Sequence, residues 1–198
     1  MQAPRQAVRF DAMMRSLEHR FFPDAREWVC SRAAGDTVEI AIGTGLNLRY
    51  YPDDVRLSAI DRDADMMALA VQRAEASGRM LRTEVGDALA LPFPEATFDT
   101  VVCTFALCEV ADVDTALSEF ARVLRPTGRL LLADHVVATS RWVRWGQRAL
   151  ETITIPASGE HFTRRPVDHL HRIGFSLVES ARRTHGAVEY VHAVRRAS

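Results

Sequence analysis

The chain alternates short apolar runs with stretches whose apolar residues recur at helical spacing. The runs predict strands at 38–42, 56–60, 80–85, 98–104 and 129–134. Helical stripes lie between several of them, and another stripe predicts an amphipathic N-terminal helix over 10–21. Because strands that alternate with helices form parallel βαβ units, we expect an open parallel sheet with helices on both faces.

The last third of the chain departs from this alternation. Residues 140–151 have a helical pattern, and we expect its Trp142 and Trp145 either to pack in the core or to wall an apolar pocket. Pro166 begins a second, short helix that ends at Gly174. Two further strand-like runs, 175–182 and 188–194, are separated by a short turn, which predicts a hairpin. The whole pattern predicts a mostly parallel seven-stranded α/β sheet with a C-terminal antiparallel hairpin.

Length and composition are those of one globular domain. The 198 residues are 47% hydrophobic and 26% charged, and the formal net charge is −1. No apolar run approaches the roughly 18 residues of a membrane span, and residues 1–10 lack the apolar centre of a secretory signal. We therefore expect a single cytoplasmic domain without an integral membrane segment.

Residue types exclude several kinds of chemistry. The chain has no lysine, which excludes a Schiff-base lysine and a phosphate-loop lysine. Cys30, Cys103 and Cys108 form no CxxC pair and have no spacing to histidine that suits zinc, so we expect buried thiols and no metal ion. Residues 135–198 contain twice as many arginines as acidic residues, but this density of positive charge is too low to indicate nucleic-acid binding. A small-molecule partner and a monomer or homodimer are expected.

The turn Gly43-Thr44-Gly45 follows the first predicted strand and is a candidate nucleotide-binding loop. Glycine lacks a Cβ, so the backbone can adopt a positive φ and a ligand can lie against the main chain. A dinucleotide fingerprint would need a third glycine at the position of Leu48. This departure disfavours a nicotinamide oxidoreductase and predicts a smaller ligand.

Asp61 ends the second predicted strand. An acid at this point of a βαβ unit can accept hydrogen bonds from both ribose hydroxyls of an adenosine. The alternative role is capping the next helix, for which Asp63 is better placed. We therefore favour the ribose role for Asp61.

Residues 39–45 run in the order acid, apolar, small, apolar, Gly, x, Gly, which resembles the first motif of class I S-adenosylmethionine (SAM) methyltransferases. Ala41 stands where that family often has glycine. Residues 86–136 resemble the type-11 methyltransferase domain, including Leu91-Pro92-Phe93 and Phe98-Asp99. The resemblance implies the Rossmann-like class I methyltransferase fold and SAM as the cofactor.

Further stretches resemble the thiol S-methyltransferases of the methyltransferase-like group and their bacterial relatives. These stretches are 43–47, 51–52, 102–104, 107–108, 134–136 and 161–164. The sequence departs from that group at Glu109, Ser158 and Glu160, where Ser, Asp and Cys are expected. It also lacks the hydrophobic N-terminal anchor of the animal members.

The resemblance implies three parts of one domain: a helical cap (1–34), a cofactor-binding core (35–134), and an acceptor-side insertion with the hairpin (135–198). The cofactor-binding residues it implies, with Asp87 on the adenine amino group, are Glu39, Ala41, Gly43, Thr44, Gly45, Asn47, Asp61, Arg62, Met66, Gly86, Asp87, Ala88, Cys103 and Thr104. His135 and His161 are the candidate catalytic residues, as bases or as positioning groups.

The implied reaction is an in-line transfer of a methyl group to a small, mostly apolar acceptor. Positioning supplies most of the catalysis, and a base is needed only where the acceptor arrives protonated. A thiol is a few per cent ionised at neutral pH, so a thiol acceptor is favoured. The alternatives are O- or N-methylation of a natural product or phospholipid headgroup, and a catalytically silent SAM-binding partner subunit.

Overall fold

The computed structural model of the chain describes residue 11 and residues 20–197, without the side chains of 157 and 158. In this part, seven strands form one sheet in the order β3-β2-β1-β4-β5-β7-β6. The strands are β1 (Asp36–Ile40), β2 (Arg56–Asp61), β3 (Leu81–Val85), β4 (Phe98–Thr104), β5 (Leu124–His135), β6 (Phe175–Arg183) and β7 (Val188–Arg195). The first five are parallel, and β7 is antiparallel to both of its neighbours. The predicted sheet and hairpin are confirmed.

Helices lie on both faces of the sheet. They are α1 (Ala25–Cys30), α2 (Ala64–Ala76), α3 (Val113–Val123), α4 (Arg141–Ser158) and α5 (Leu170–Ile173), with 3₁₀ turns at Leu48–Tyr50, Pro166–His169 and Thr184–Gly186. Asp63 caps α2 by accepting from the N–H groups of Asp65 and Met66, as predicted, and Asp112 caps α3 in the same way. The predicted helix over 10–21 lies almost wholly outside the described residues.

Two hydrophobic cores flank the sheet. On one face α3 packs Leu117 and Phe120, both fully buried, against β1, β4 and β5. On the other face α1 and α2 cover residues that include the fully buried Tyr190. The three cysteines are buried free thiols, as predicted. This packing fixes the strands whose ends form the candidate site.

Helix α4 is longer than predicted and faces the opposite way. Trp142 and Trp145 are 87% and 73% exposed, so the expectation that they pack in a core or wall a pocket is wrong. The polar side of the helix faces inward instead: Gln147 donates to the Val136 carbonyl at 2.8 Å and accepts from the Ala138 N–H at 2.8 Å. Hydrogen bonds to backbone, rather than apolar burial, attach this helix to the domain.

Across residue 11 and residues 20–197, we find no helix that combines the length and the hydrophobicity needed to cross a lipid bilayer.

Candidate active site

A cavity of about 390 Å³ opens at the carboxyl ends of β1, β2 and β4. β1 and β4 are neighbours in the sheet. The chain leaves β1 for β2 on one side of this pair and leaves β4 for β5 on the other side, so the two connections cross opposite faces of the sheet. Ligands of open α/β sheets bind in the crevice that such a reversal creates. A larger groove of about 1160 Å³ lies around the first residues of β1 to β4. It is at the wrong end of the sheet for this kind of site.

The loop after β1 forms one wall of the cavity. The Ile42 N–H extends the strand by donating to the Ile60 carbonyl at 3.2 Å, and Gly43 then takes φ +56°. The Gly43 N–H donates to Asp61 Oδ2 at 2.7 Å, while Asp61 Oδ1 accepts from the Asp63 N–H at 2.9 Å. Each oxygen keeps a lone pair for a ligand. Asp61 therefore ties two loops together and still faces the cavity.

The two glycines of the turn have different surroundings. A Cβ at Gly43 would meet nothing within 4 Å, because this residue borders the cavity. A Cβ at Gly45 would come within 2.9 Å of the Ala70 Cα and 2.8 Å of Leu48 Cδ1. The absence of a side chain at Gly45 thus allows the loop to pack on α2, whereas the sequence pattern suggested room for a ligand.

A buried polar network supports the loop from behind. Glu39, only 1% exposed, accepts from Asn47 Nδ2 and from the Tyr51 hydroxyl, both at 2.8 Å. Burial raises the pKa of the Glu39 carboxyl to about 7, against the opposing effect of Tyr51 and Arg26. The Arg26 guanidinium donates to Asn47 Oδ1 at 2.7 Å and to Thr104 Oγ1 at 3.2 Å. This network fixes the position of Arg26 in the cavity wall.

The cavity brings most of the predicted cofactor residues together. Those that line it are Ala41, Gly43, Thr44, Asp61, Arg62, Met66, Gly86, Asp87, Ala88 and Thr104. The others lie behind the lining: Glu39 and Asn47 in the supporting network, Gly45 against α2, and Cys103 in the core.

Sequence patterns did not single out two residues that line the cavity, Arg26 and Phe105. Arg26 is on α1, far from the glycine turn in sequence, and no motif marks it. Phe105 directly follows β4 and takes φ +54°. This conformation is uncommon for residues other than glycine, so the sequence gives no reason to expect it at a phenylalanine. Glu109, noted as a departure from the thiol group, lies at the cavity and forms an ion pair of 3.6 Å with Arg62.

His135 ends β5 inside a ring of aromatic side chains. The ring centroids of Phe22, Phe105 and Phe162 lie 5.6, 5.2 and 5.4 Å from that of His135. Burial lowers the pKa of the His135 imidazole to about 4, so the ring is neutral at neutral pH. The other candidate, His161, donates its backbone N–H to the Cys108 carbonyl at 2.8 Å. Both histidine-bearing segments thus lie beside the loop that follows β4.

The family model for a methyltransferase domain matches residues 38–132. The ubiquinone/menaquinone biosynthesis C-methyltransferase of Dinoroseobacter shibae is 31% identical over 185 residues, which cover 90% of this chain and 72% of that protein. The chain belongs to the SAM-dependent methyltransferases. Its expected cofactor, SAM, is the cofactor of this family.

Other similar methyltransferases act on different atoms, according to their names. The human thiol S-methyltransferase TMT1A is 28% identical over 88% of this chain and 74% of its own length. A phosphatidylethanolamine N-methyltransferase of Cereibacter sphaeroides is 37% identical over 51% of each chain. The ubiquinone/menaquinone biosynthesis C-methyltransferase of Cereibacter sphaeroides is 31% identical, and this chain covers 66% of the length of that relative.

Solved structures support the fold. A putative methyltransferase from Bacillus halodurans superposes with a TM-score of 0.73 at 17% identity, covering 88% of this chain and 98% of that one. Geranyl diphosphate C-methyltransferase from Streptomyces coelicolor, solved with S-adenosyl-L-homocysteine, gives a TM-score of 0.71 at 18% identity, covering 90% and 80%. The expected class I methyltransferase fold is confirmed.

Proposed function

We propose that this methyltransferase transfers the methyl group of SAM to a small, mostly apolar acceptor that carries a thiol. The observation that carries the proposal is the cavity at the carboxyl ends of β1, β2 and β4, with Asp61 held by the Gly43 N–H in its wall. Asp61 would bind the ribose hydroxyls, and the backbone at Gly43 would adjoin the methionine end of SAM.

Arg26 supplies a charge that suits the other end of the cofactor. Its guanidinium is held in the cavity wall by Asn47 and Thr104. An arginine fixed in this way favours a carboxylate, because its N–H groups match the carboxylate oxygens in geometry and charge. We assign it to the carboxylate of the methionine moiety.

The surroundings of His135 support an apolar acceptor. Phe22, Phe105 and Phe162 surround its ring, and aromatic side chains of this kind form apolar binding surfaces with few polar groups. A thiol suits such a surface, since it needs little help to ionise. The similarity to the human thiol S-methyltransferase extends over most of both chains and favours the same acceptor atom.

In this proposal the protein acts mainly by positioning. The acceptor sulfur must approach the methyl carbon in line, about 3 Å away and without competing water. His135 and His161 would orient the acceptor. His161→Ala would then lower kcat/KM by about tenfold to a hundredfold, equal to roughly 1–3 kcal/mol. The exposed His171→Ala is the control and should leave turnover unchanged.

A panel of alkyl and aryl thiols, phenols and amines tests the acceptor, with release of S-adenosylhomocysteine as the readout. Turnover of thiols at much higher kcat/KM than hydroxyl or amine analogues is expected. Turnover confined to hydroxyls or amines would contradict the thiol assignment and leave methyl transfer intact. Binding of SAM without turnover of any acceptor would favour the silent partner subunit.

A further inference from the structure

Three side chains from distant parts of the chain meet beside the loop that follows β4. Cys108 lies in that loop, His135 ends β5, and Glu160 follows Gly159, the residue that caps α4. The thiol sulfur of Cys108, one ring nitrogen of His135 and one carboxylate oxygen of Glu160 all lie within 4.8 Å of one another. We propose that Cys108, His135 and Glu160 bind a zinc ion.

Separate contacts hold the chain segment or ring that carries each donor. The His161 N–H donates to the Cys108 carbonyl at 2.8 Å, which ties the segment of Glu160 to the loop of Cys108. The Thr154 hydroxyl donates to the Glu160 carbonyl at 3.0 Å. The His135 ring packs against Phe105 and Phe162. The three donors are therefore gathered by the fold itself, before any ion binds.

The present spacing is close to what zinc requires. Zinc binds sulfur at about 2.3 Å and nitrogen at about 2.0–2.1 Å in a tetrahedron, so its ligand atoms lie roughly 3–4 Å apart. Glu160 is partly buried, and rotation of its side chain can close the remaining gap. Cys108 is 2% exposed and provides the fixed donor.

An unpaired polar atom at the same place is a second, independent observation. His135 Nδ1 is buried and has no hydrogen-bond partner within the described ranges. Buried polar atoms are normally paired, so this nitrogen indicates a missing group. A cation would provide a ligand for it, and a counter-charge for the Asp134 carboxylate, which is 3% exposed and accepts from the His135 N–H through Oδ1.

The charges around the cluster are one-sided. Asp134, Glu160 and Glu109 all lie near Cys108. Among the residues that the structure describes, Glu109 is paired with Arg62, but no arginine forms an ion pair with Asp134 or Glu160. A divalent cation would balance these acids. It would also hold Cys108 as a thiolate, because a coordinating thiol is deprotonated.

The donor set selects the metal. A sulfur, nitrogen and oxygen set suits zinc, whereas magnesium and calcium prefer oxygen alone. Three protein ligands also leave the fourth tetrahedral position open, as in catalytic zinc sites. The sequence could not show this site, because its ligands follow no short spacing pattern and only the path of α4 brings Glu160 to the other two.

A role for the open position rests on the proposed function. An acceptor thiol would lose its proton to solvent on binding zinc there. The thiolate sulfur would then use an electron pair to form a bond to the methyl carbon of SAM. The bond between that carbon and the sulfonium sulfur breaks, and its electron pair stays on the sulfur of S-adenosylhomocysteine. The products are a thioether, S-adenosylhomocysteine and the released proton.

Metal binding can be tested without turnover. The chelator-treated protein is titrated with Zn²⁺ by calorimetry and with Co²⁺ by absorption spectroscopy, with circular dichroism as a check of folding. One ion per chain at micromolar concentration is expected, with a thiolate-to-cobalt charge-transfer band. Cys108→Ser should remove the band and weaken binding at least tenfold. Glu160→Gln should weaken binding and keep the band.

Cys103→Ser is the matched control, since Cys103 is an equally buried thiol in the core on β4. It should bind Co²⁺ like the wild type. Absence of stoichiometric binding by the wild type, or equal affinity in folded Cys108→Ser, would overturn the zinc site. SAM binding and thiol turnover are measured on the same samples, so failure of the zinc site is distinguishable from failure of the thiol assignment.

Discussion

Asp61 connects two loops at the wall of the cavity through its two carboxylate oxygens. Replacing it with asparagine keeps one oxygen acceptor and removes the charge. If the carboxylate binds the ribose hydroxyls, Asp61→Asn should weaken SAM binding about tenfold to a hundredfold, since hydrogen bonds to charged groups contribute about 1.5–3 kcal/mol. Calorimetry of SAM and S-adenosylhomocysteine measures this.

The nearby Asp63→Ala provides the control for Asp61. Asp63 caps α2, so its loss should cost about 1 kcal/mol of stability and change SAM affinity little. An Asp61→Asn protein that folds and binds SAM as tightly as the wild type would remove Asp61 from the cofactor site.

Glu39 makes stability depend on pH in a defined direction. Its pKa is raised by burial from 4.5 to about 7 in the folded chain, so the folded state holds the proton more tightly than the unfolded one. The resulting stabilisation is fully present below about pH 4.5 and is lost as the pH rises through 7. Between pH 5 and 8, the wild type should lose on the order of 3 kcal/mol relative to Glu39→Gln.

Denaturant unfolding of both proteins at several pH values measures this difference. Asp36, whose pKa is lowered by its hydrogen bond to Arg56 to about 2, titrates outside this window and in the opposite sense. A constant difference in the free energy of unfolding from pH 5 to 8 would contradict the prediction for Glu39.

Individual residues were predictable where their role depends on local position. Asp63 follows a strand and precedes a helical stripe, and that order alone identifies a cap. The network of Glu39, Asn47 and Tyr51 depends on how the loop folds back under the sheet, which no spacing in the sequence records.

At the scale of elements, the loop between β1 and β2 is packed against α2 at one glycine and open to the cavity at the other. Gly43→Ala and Gly45→Ala both place a side chain at positive φ, with a shared strain of about 1–2 kcal/mol. Only Gly45→Ala adds a clash with the Ala70 backbone. We expect Gly45→Ala to melt well below Gly43→Ala, and Gly43→Ala to show the larger loss of SAM affinity.

Thermal unfolding and calorimetry of this matched pair separate packing from binding. Equal melting temperatures for the two variants would show that the loop yields at Gly45 and that its contact with α2 is not a constraint.

Helix α4 gives a second matched pair. Gln147 joins the helix to the backbone of Val136, Ala138 and Phe162 by three hydrogen bonds, so Gln147→Ala should lose about 1–3 kcal/mol of stability. Trp142→Ser removes a far larger side chain, yet that side chain is 87% exposed, and a change within about 0.5 kcal/mol is expected. A larger loss from Trp142→Ser in denaturant unfolding would mean that the tryptophan is covered.

The elements that sequence patterns predicted well are those buried on both faces or repeated at a fixed period, such as β4 and α3. Helix α4 was predicted too short and with the wrong side inward. Apolar residues normally mark the buried side of a helix, and here Gln147 and Glu151 occupy that side because they bond to backbone at 136–138 and 163.

At the scale of the whole molecule, the sheet followed from the sequence because alternating strands and helices leave few possible topologies. The site is less directly encoded. The cavity lies where connections from neighbouring strands diverge, and the glycine and acid motifs of the sequence lie in its wall. The proposed acceptor half depends on where the segment after β5 returns to the domain, and that return is set by long-range contacts such as the one from His161 to Cys108.

The position of β7 between β5 and β6 affects the order in which the protein can assemble as it leaves the ribosome. β6 is made first, yet in the finished sheet it pairs with β7 rather than with β5. Until Val188–Arg195 emerges, β6 has no partner and the free edge of β5 is exposed, a state in which unpaired strands invite aggregation. The later of the two hairpin strands thus closes the gap between β5 and β6, and slow translation just before it would prolong the vulnerable stage.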